Sequence, residues 1–194
     1  MKKVFTTACF LVIIDQLLKI WIKTNFYLGE EIKVFEWFII HFTENNGMAF
    51  GFEFGGFHGK TILTITRIII IFISIKYLNE FITKSSPSGL LICIGLILGG
   101  AIGNVIDSTF YGLIFEESYN NISSVFVDGG GYAPLLHGKV VDMFYFPIIN
   151  CHLPSWLPVW GGEHFVFFRP VFNIADAGIS VGVIAILLFY RRFF

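Results

Sequence analysis

Four apolar runs, at residues 4–22, 61–78, 89–106 and 171–190, set what this 194-residue chain can fold into. Each is long enough to cross about 30 Å of hydrocarbon as a helix rising roughly 1.5 Å per residue. Inside a bilayer no water satisfies backbone polar groups, so runs of this length close their hydrogen bonds internally, as helices. Composition agrees: 55 % of residues are hydrophobic and 14 % are charged, far from a soluble domain. The expected fold is an all-α membrane protein, one domain over residues 1–194, with segments 23–60 and 107–170 outside the bilayer. The first run follows Met1-Lys2-Lys3, holds Asp15 and Lys19 and lacks a small-x-small cleavage site, so it reads as a retained helix.

Four crossings put both termini on one side. Lys2, Lys3, Lys84, Arg191 and Arg192 gather there, and the positive-inside rule makes it cytoplasmic. Residues 84–88 read as a plain cytoplasmic turn. A net charge of -1 without a basic cluster excludes nucleic-acid binding. Cys9, Cys93 and Cys151 are scattered, and the histidines at 41, 58, 137, 152 and 164 show no zinc-binding spacing, so neither metal nor cofactor is expected.

In the first outer segment, residues 29–43 alternate in part. Asn45-Asn46-Gly47 is a turn signal, and Met48-Ala49-Phe50-Gly51-Phe52 follows, predicting a small antiparallel sheet with a tight bend. Trp37 and its neighbouring phenylalanines suit a membrane interface. The sheet reads equally as a platform for a lipid or acylated chain and as a purely structural hairpin. Residues 109–136, rich in Gly, Ser and Asn, predict a mobile, partly irregular excursion, and 148–168 predict an interfacial loop.

A carboxylate in an apolar helix costs several kcal/mol unless something partners or uses it. Asp15 and Lys19, four residues apart near mid-depth of the first helix, read as a structural pair. Arg67 in the second helix snorkels or pairs with an acid. In the third, glycines at 95, 99 and 103 permit close packing. Its outer end carries N-V-I-D at 104–107, and the fourth helix opens with N-I-A-D at 173–176. Three-residue spacing puts amide and carboxylate on one face, and antiparallel helices bring both motifs to the same boundary. Asp142 lies in the apolar stretch K-V-V-D-M-F-Y-F, a strand expected to hold it in a poorly solvated place. Any two of Asp107, Asp142 and Asp176 could share a proton, one acting as base toward water and the other as acid toward a peptide carbonyl. Alternatively one acid is functional and the others cap helices or pair with Lys139, Arg169 or Arg67.

The chain resembles the lipoprotein signal peptidases, or signal peptidase II, of bacterial inner membranes. The resemblance rests on D-Q-L-L-K at 15–19, E-N-N-G-M-A-F-G at 44–51, G-G-A-I-G-N-V-I-D at 99–107, K-V-V-D-M at 139–143 and F-N-I-A-D-A-G-I at 172–179, in order along the whole chain. It implies four transmembrane helices, a small antiparallel sheet platform and an irregular loop region on the outer, periplasmic face. It also implies an aspartic endopeptidase, needing no cofactor, that removes signal peptides from prolipoproteins before their diacylglyceryl cysteine. Both termini would be cytoplasmic and the active site near the outer face of the inner membrane. The implied catalytic residues are Asp142 and Asp176. Asn45, Gly47, Asn104 and Asn173 would hold substrate or orient the dyad; Asp15, Lys19, Asp107 and Arg169 would support it. Its partners would be prolipoproteins and membrane lipids, with no obligate protein partner. Two features depart from the family pattern: Ser108 stands where an arginine is usual, which leaves Arg169 or Lys139 to replace it, and residues 109–136 read as an insertion. From other classes, a proton- or ion-coupled transporter would need acids spaced through the bilayer, and a non-catalytic lipid-binding protein would use the aromatic sheet alone.

Overall fold

The apolar runs form four helices in the computed structural model, which describes residues 1–47, 56–82, 86–156 and 158–193. In chain order the elements are α1 (Lys2–Asn25), β1 (Glu31–Phe35), β2 (Phe38–Asn45), α2 (Gly56–Phe81), α3 (Ser88–Ile106), β3 (Val140–Tyr145), β4 (Ile149–His152), β5 (His164–Phe167), β6 (Val171–Phe172) and α4 (Ile174–Ala185). A π turn, Asp107–Tyr111, carries α3 on to Ile114, and α4 continues through Ile186–Tyr190 to Arg191–Phe193. All four helices are long and apolar enough to cross a bilayer. Phe10, Leu17, Phe72, Leu188 and Phe189 project outward from them, the inverse of a soluble bundle.

Two helix ends differ from the sequence expectation. The third run, expected to end at residue 106, passes its own aspartate and reaches Ile114, because Asp107 is neutralised in place rather than left at a helix terminus. The fourth, expected from residue 171, begins at Ile174. Val171 and Phe172 instead pair with Tyr145 and Phe144, and Asn173 caps the helix with its side-chain oxygen on the Asp176 amide.

The sheet platform is four-stranded, antiparallel throughout, in the order β1-β2-β3-β6. Its first hairpin turns at Glu36 and Trp37, which carry none of the usual turn residues, so it escaped the sequence reading. Part of the predicted sheet, residues 48–52, and part of the predicted turn at 84–88 lie outside the described residues. The expected interfacial loop contains a hairpin of β4 with β5, pairing Ile149 with Phe167 and His152 with His164. In 109–136 the first residues to Ile114 extend the helix and the rest is irregular, as expected, but its start is packed. Tyr111 and Phe115 are buried with Ile22, Phe42, Val141 and Met143 in a core that binds the helix ends to the sheet. A second cluster, around Val4, Ala8, Leu78 and Leu98, joins α1, α2 and α3.

α3 is the central helix, packed closely on α1 and α4. A Cβ added at Gly99 would stand 2.8 Å from the Ala8 carbonyl oxygen and 2.9 Å from its Cα, main-chain atoms that cannot swing aside. Gly99→Leu is therefore expected to cost about 1–3 kcal/mol through overpacking, read as a lower Tm of the detergent-solubilised protein. An unchanged Tm would mean that the α1–α3 approach is looser than described.

Candidate active site

At one end of the bundle, three helices and two strands bring their polar side chains into one layer. Its base is Lys19, whose side chain is fully buried. The ammonium lies 2.7 Å from Asp107 Oδ2, 2.9 Å from Asp15 Oδ2 and 2.9 Å from Asn104 Oδ1. Three acceptors use all three N–H donors, the condition under which a buried ammonium is tolerable. The sequence paired Lys19 with Asp15 alone; tertiary folding adds a second carboxylate from α3. Asp15 also does more than balance Lys19, because its Oδ1 accepts from the Ala175 amide at 2.9 Å. That bond puts it at the start of α4 rather than isolated at mid-depth, and a carboxylate at a helix N-terminus is favourably placed.

Gln16, which the sequence reading passed over, completes the base. Its Nε2 donates to Asp107 Oδ1 at 2.8 Å and to Asp15 Oδ2 and the Gly103 carbonyl at 3.2 Å, while its Oε1 accepts from the Tyr111 hydroxyl at 3.2 Å. Lys23 was missed as well, although it continues the four-residue spacing of Asp15 and Lys19. It is buried against Glu44, with Ser118 Oγ 2.7 Å away.

The next tier consists of asparagines whose orientations are dictated from below. Lys19 holds Asn104 Oδ1, so Asn104 Nδ2 must face outward, and it donates to Asp176 Oδ1 at 2.7 Å. Asn173 spends its Oδ1 on the Asp176 amide at 2.9 Å as the helix cap, and Asp176 Oδ2 accepts from the Asn173 amide at 3.4 Å in return. Asn173 Nδ2 is thereby left to donate to Asp142 Oδ1 at 2.7 Å, with Asn104 Oδ1 at 3.1 Å and the Val141 carbonyl at 3.3 Å. The antiparallel register of β3 with β6 delivers Asn173 to this position.

Asp142 is almost fully buried on β3, opposite Thr43 of β2. Its second oxygen accepts from Asn45 Nδ2, and Asn45 Oδ1 accepts from the Gly47 amide at 2.5 Å. Asp176 is only half buried. Burial, and next the charge of Asp176, push the Asp142 carboxyl up to about 8, although both asparagine donors pull the other way. The Asn173 side chain thus touches both Asp142 and the helix turn that bears Asp176, and the raised Asp142 carboxyl keeps its proton at neutral pH.

The other sequence candidates fall elsewhere. Asp107, fully buried, faces Lys19 and Gln16. Arg169 is exposed on the approach to β6. Lys139 binds Glu117 at 2.9 Å and Glu44 at 3.4 Å. Ser108 is fully buried, and its hydroxyl has no hydrogen-bond partner among the described residues. Also among the described residues, no three His, Cys, Asp or Glu side chains are grouped so as to hold a metal ion.

Comparison with known proteins places this layer in a family. The chain is 49 % identical over 192 residues to the lipoprotein signal peptidase of Porphyromonas gingivalis, covering 98 % of this chain and 84 % of that one. It is 40 % identical over 190 residues to the lipoprotein signal peptidase of Amoebophilus asiaticus, covering 96 % and 76 %. Against the lipoprotein signal peptidase of Chlorobium phaeobacteroides, identity is 31 % over 197 residues, covering 100 % and 99 %. A solved structure described as a bacterial membrane enzyme superposes with a TM-score of 0.62 at 26 % identity, over 97 % of this chain and 92 % of that one. The family model described as signal peptidase (SPase) II matches residues 7–192, which takes in every residue of the polar layer and all but the outermost ends of the four helices: the chain belongs to the signal peptidase II family.

Proposed function

We propose that this multi-pass membrane protein removes signal peptides from prolipoproteins as an aspartic endopeptidase, cleaving before the diacylglyceryl-modified cysteine with Asp142 and Asp176 as its dyad. Family membership supports the peptidase activity and its substrate class. The observation that carries the choice of dyad is the Asn173 amide, which caps the helix bearing Asp176 and donates to Asp142.

In the proposed reaction a water molecule attacks the scissile carbonyl carbon as the Asp176 carboxylate takes its proton, and the Asp142 carboxyl donates its proton to the carbonyl oxygen. In the resulting neutral tetrahedral diol, Asp176 returns its proton to the peptide nitrogen. Asp142 retrieves one from a hydroxyl, and the C–N bond breaks with the pair restored. The pair therefore holds one proton at the start of the cycle and one again at its end. Asn104 and Asn173 hold the two carboxyls in place, and Asn45 fixes the far side of Asp142.

The single domain of residues 1–194 would sit in the bacterial inner membrane with both termini cytoplasmic and the dyad at the outer face. The terminal lysines and arginines support that orientation. Phe35, Trp37, Phe38, Phe146 and Phe172 stack in series along the sheet, a surface suited to the interfacial end of a bilayer and to the substrate's acyl chains.

Asp142→Asn and Asp176→Asn are each expected to lower kcat on a lipidated prolipoprotein by about a thousandfold or more, with near-normal Tm. Wild-type-like turnover by either removes that residue from the dyad. Asp107→Asn is expected to separate the two roles: it weakens the buried pair with Lys19 and lowers Tm, while the folded fraction keeps most of its kcat. Complete loss of turnover in well-folded Asp107→Asn would favour a dyad containing Asp107. The pH dependence follows from the raised Asp142 carboxyl, whose proton is present at neutral pH and lost on going through about 8. Accordingly kcat should fall as pH rises across that range, and a rate flat to well above it would contradict a protonated Asp142.

A further inference from the structure

Among the described residues, α2 supplies no side chain to the polar layer of Lys19, the asparagines and the aspartates. Apart from packing on α3, its polar contacts converge on two short segments. Thr64 Oγ1 donates to the Leu136 carbonyl at 3.1 Å, and Thr61 Oγ1 lies 2.9 Å from His137 Nε2, just before β3. Lys60 Nζ donates to the Asn46 carbonyl at 2.7 Å, and Arg67 Nη2 donates to the Gly47 carbonyl. The helix therefore grips the lead-in to the strand of Asp142 and the turn that follows Asn45.

Gly47 shows how closely Arg67 is applied to that turn. A Cβ there would sit 2.7 Å from Nη1 and 3.5 Å from Cζ of the guanidinium, and φ is +87°. Glycine is needed at 47 both for the backbone conformation and because the arginine lies over it. From Arg67 the bonds run in sequence: its N–H to the Gly47 carbonyl, the Gly47 N–H to Asn45 Oδ1, and Asn45 Nδ2 to Asp142 Oδ2. The middle bond fixes which end of the Asn45 amide faces the acid.

We propose that Arg67 is a positioning residue of the dyad, holding the Gly47 carbonyl so that the Asn45 amide stays on Asp142. The inference rests on the reading of Asp142 and Asp176 as catalytic. Arg67 does not touch the reacting atoms; it acts through Gly47 and Asn45, and through its charge. The charged groups around it are Lys60 on its own helix and Asp176 on α4, while Lys19 and Asp176 act on Asp142. Both effects of Arg67, the Asn45 donor on Asp142 and the positive charge facing Asp176, favour ionised carboxylates. Loss of the Asn45 donor raises the proton affinity of Asp142.

The test compares Arg67→Met, Arg67→Lys and Asp142→Asn with wild type, as full-length proteins in detergent, each corrected for its folded fraction. With a lipidated prolipoprotein substrate, Arg67→Met is expected to lose about tenfold to a hundredfold in kcat with KM little changed. The alkaline limb of its kcat–pH profile should move upward by about half a pH unit or more. Arg67→Lys, which keeps the charge but not the forked donor, should fall between the two. A role in folding alone would scale the rate without moving the profile. An unmoved profile in Arg67→Met, or in Arg67→Lys if the former does not fold, overturns the inference. Asp142→Asn separates the two failures: if it turns over normally the dyad itself is wrong, whereas if it is inactive beside an unmoved Arg67 profile, only the role of Arg67 is lost.

Discussion

The polar layer depends on one buried ammonium. Lys19 sits at zero exposure among apolar helices, where an isolated charge would carry a penalty of several kcal/mol. Three acceptors from two helices close around it, and two of them are carboxylates that would themselves be untenable there without it. Removing the ammonium leaves two carboxylates facing each other without a counter-charge, and removing either carboxylate takes an acceptor from the ammonium, so α1 and α3 are fixed in rotation and in depth by a single electrostatic knot. Membrane helices packed through glycine lack a large hydrophobic driving force against lipid. A knot of this kind supplies the register that apolar packing alone leaves open.

Orientation propagates outward from the knot. An asparagine side chain is ambiguous, because oxygen and nitrogen are nearly the same size, and only its neighbours decide which end donates. Lys19 decides for Asn104, the α4 helix end decides for Asn173, and the Gly47 amide decides for Asn45. Each of the three then turns an N–H toward one of the two acids. Two carboxyls in different environments result: Asp142 sealed under the sheet, and Asp176 half open at the first turn of α4.

Much of this was visible in the sequence, and the exceptions have a common cause. Apolar length alone marks the four helices, and three-residue spacing with antiparallel helices brings N-V-I-D and N-I-A-D together, as the 2.7 Å bond from Asn104 to Asp176 bears out. Spacing does not say that Asp107 turns back to Lys19 while Asn104 turns forward, since both lie on one face and the difference is tertiary. Val171 and Phe172 look as helical as the residues after them; only the partner strand β3 makes them a strand. The hairpin at Glu36 and Trp37 lacks turn residues. In 109–136 the glycines and serines were conspicuous, yet Tyr111, Phe115 and the buried Ser118 govern the packing. Local signals were legible wherever one element sufficed, and failed where a second element chose.

Asn173 is at once the residue that starts α4 and the residue that aims an N–H at Asp142. The chain therefore cannot enter its last membrane helix correctly and still leave the two acids unaligned, because the same side chain ends the strand, begins the helix and bridges the pair. The same economy limits variation: the hydrogen bond that Asn173 gives Asp142 cannot be altered without also altering where the helix begins.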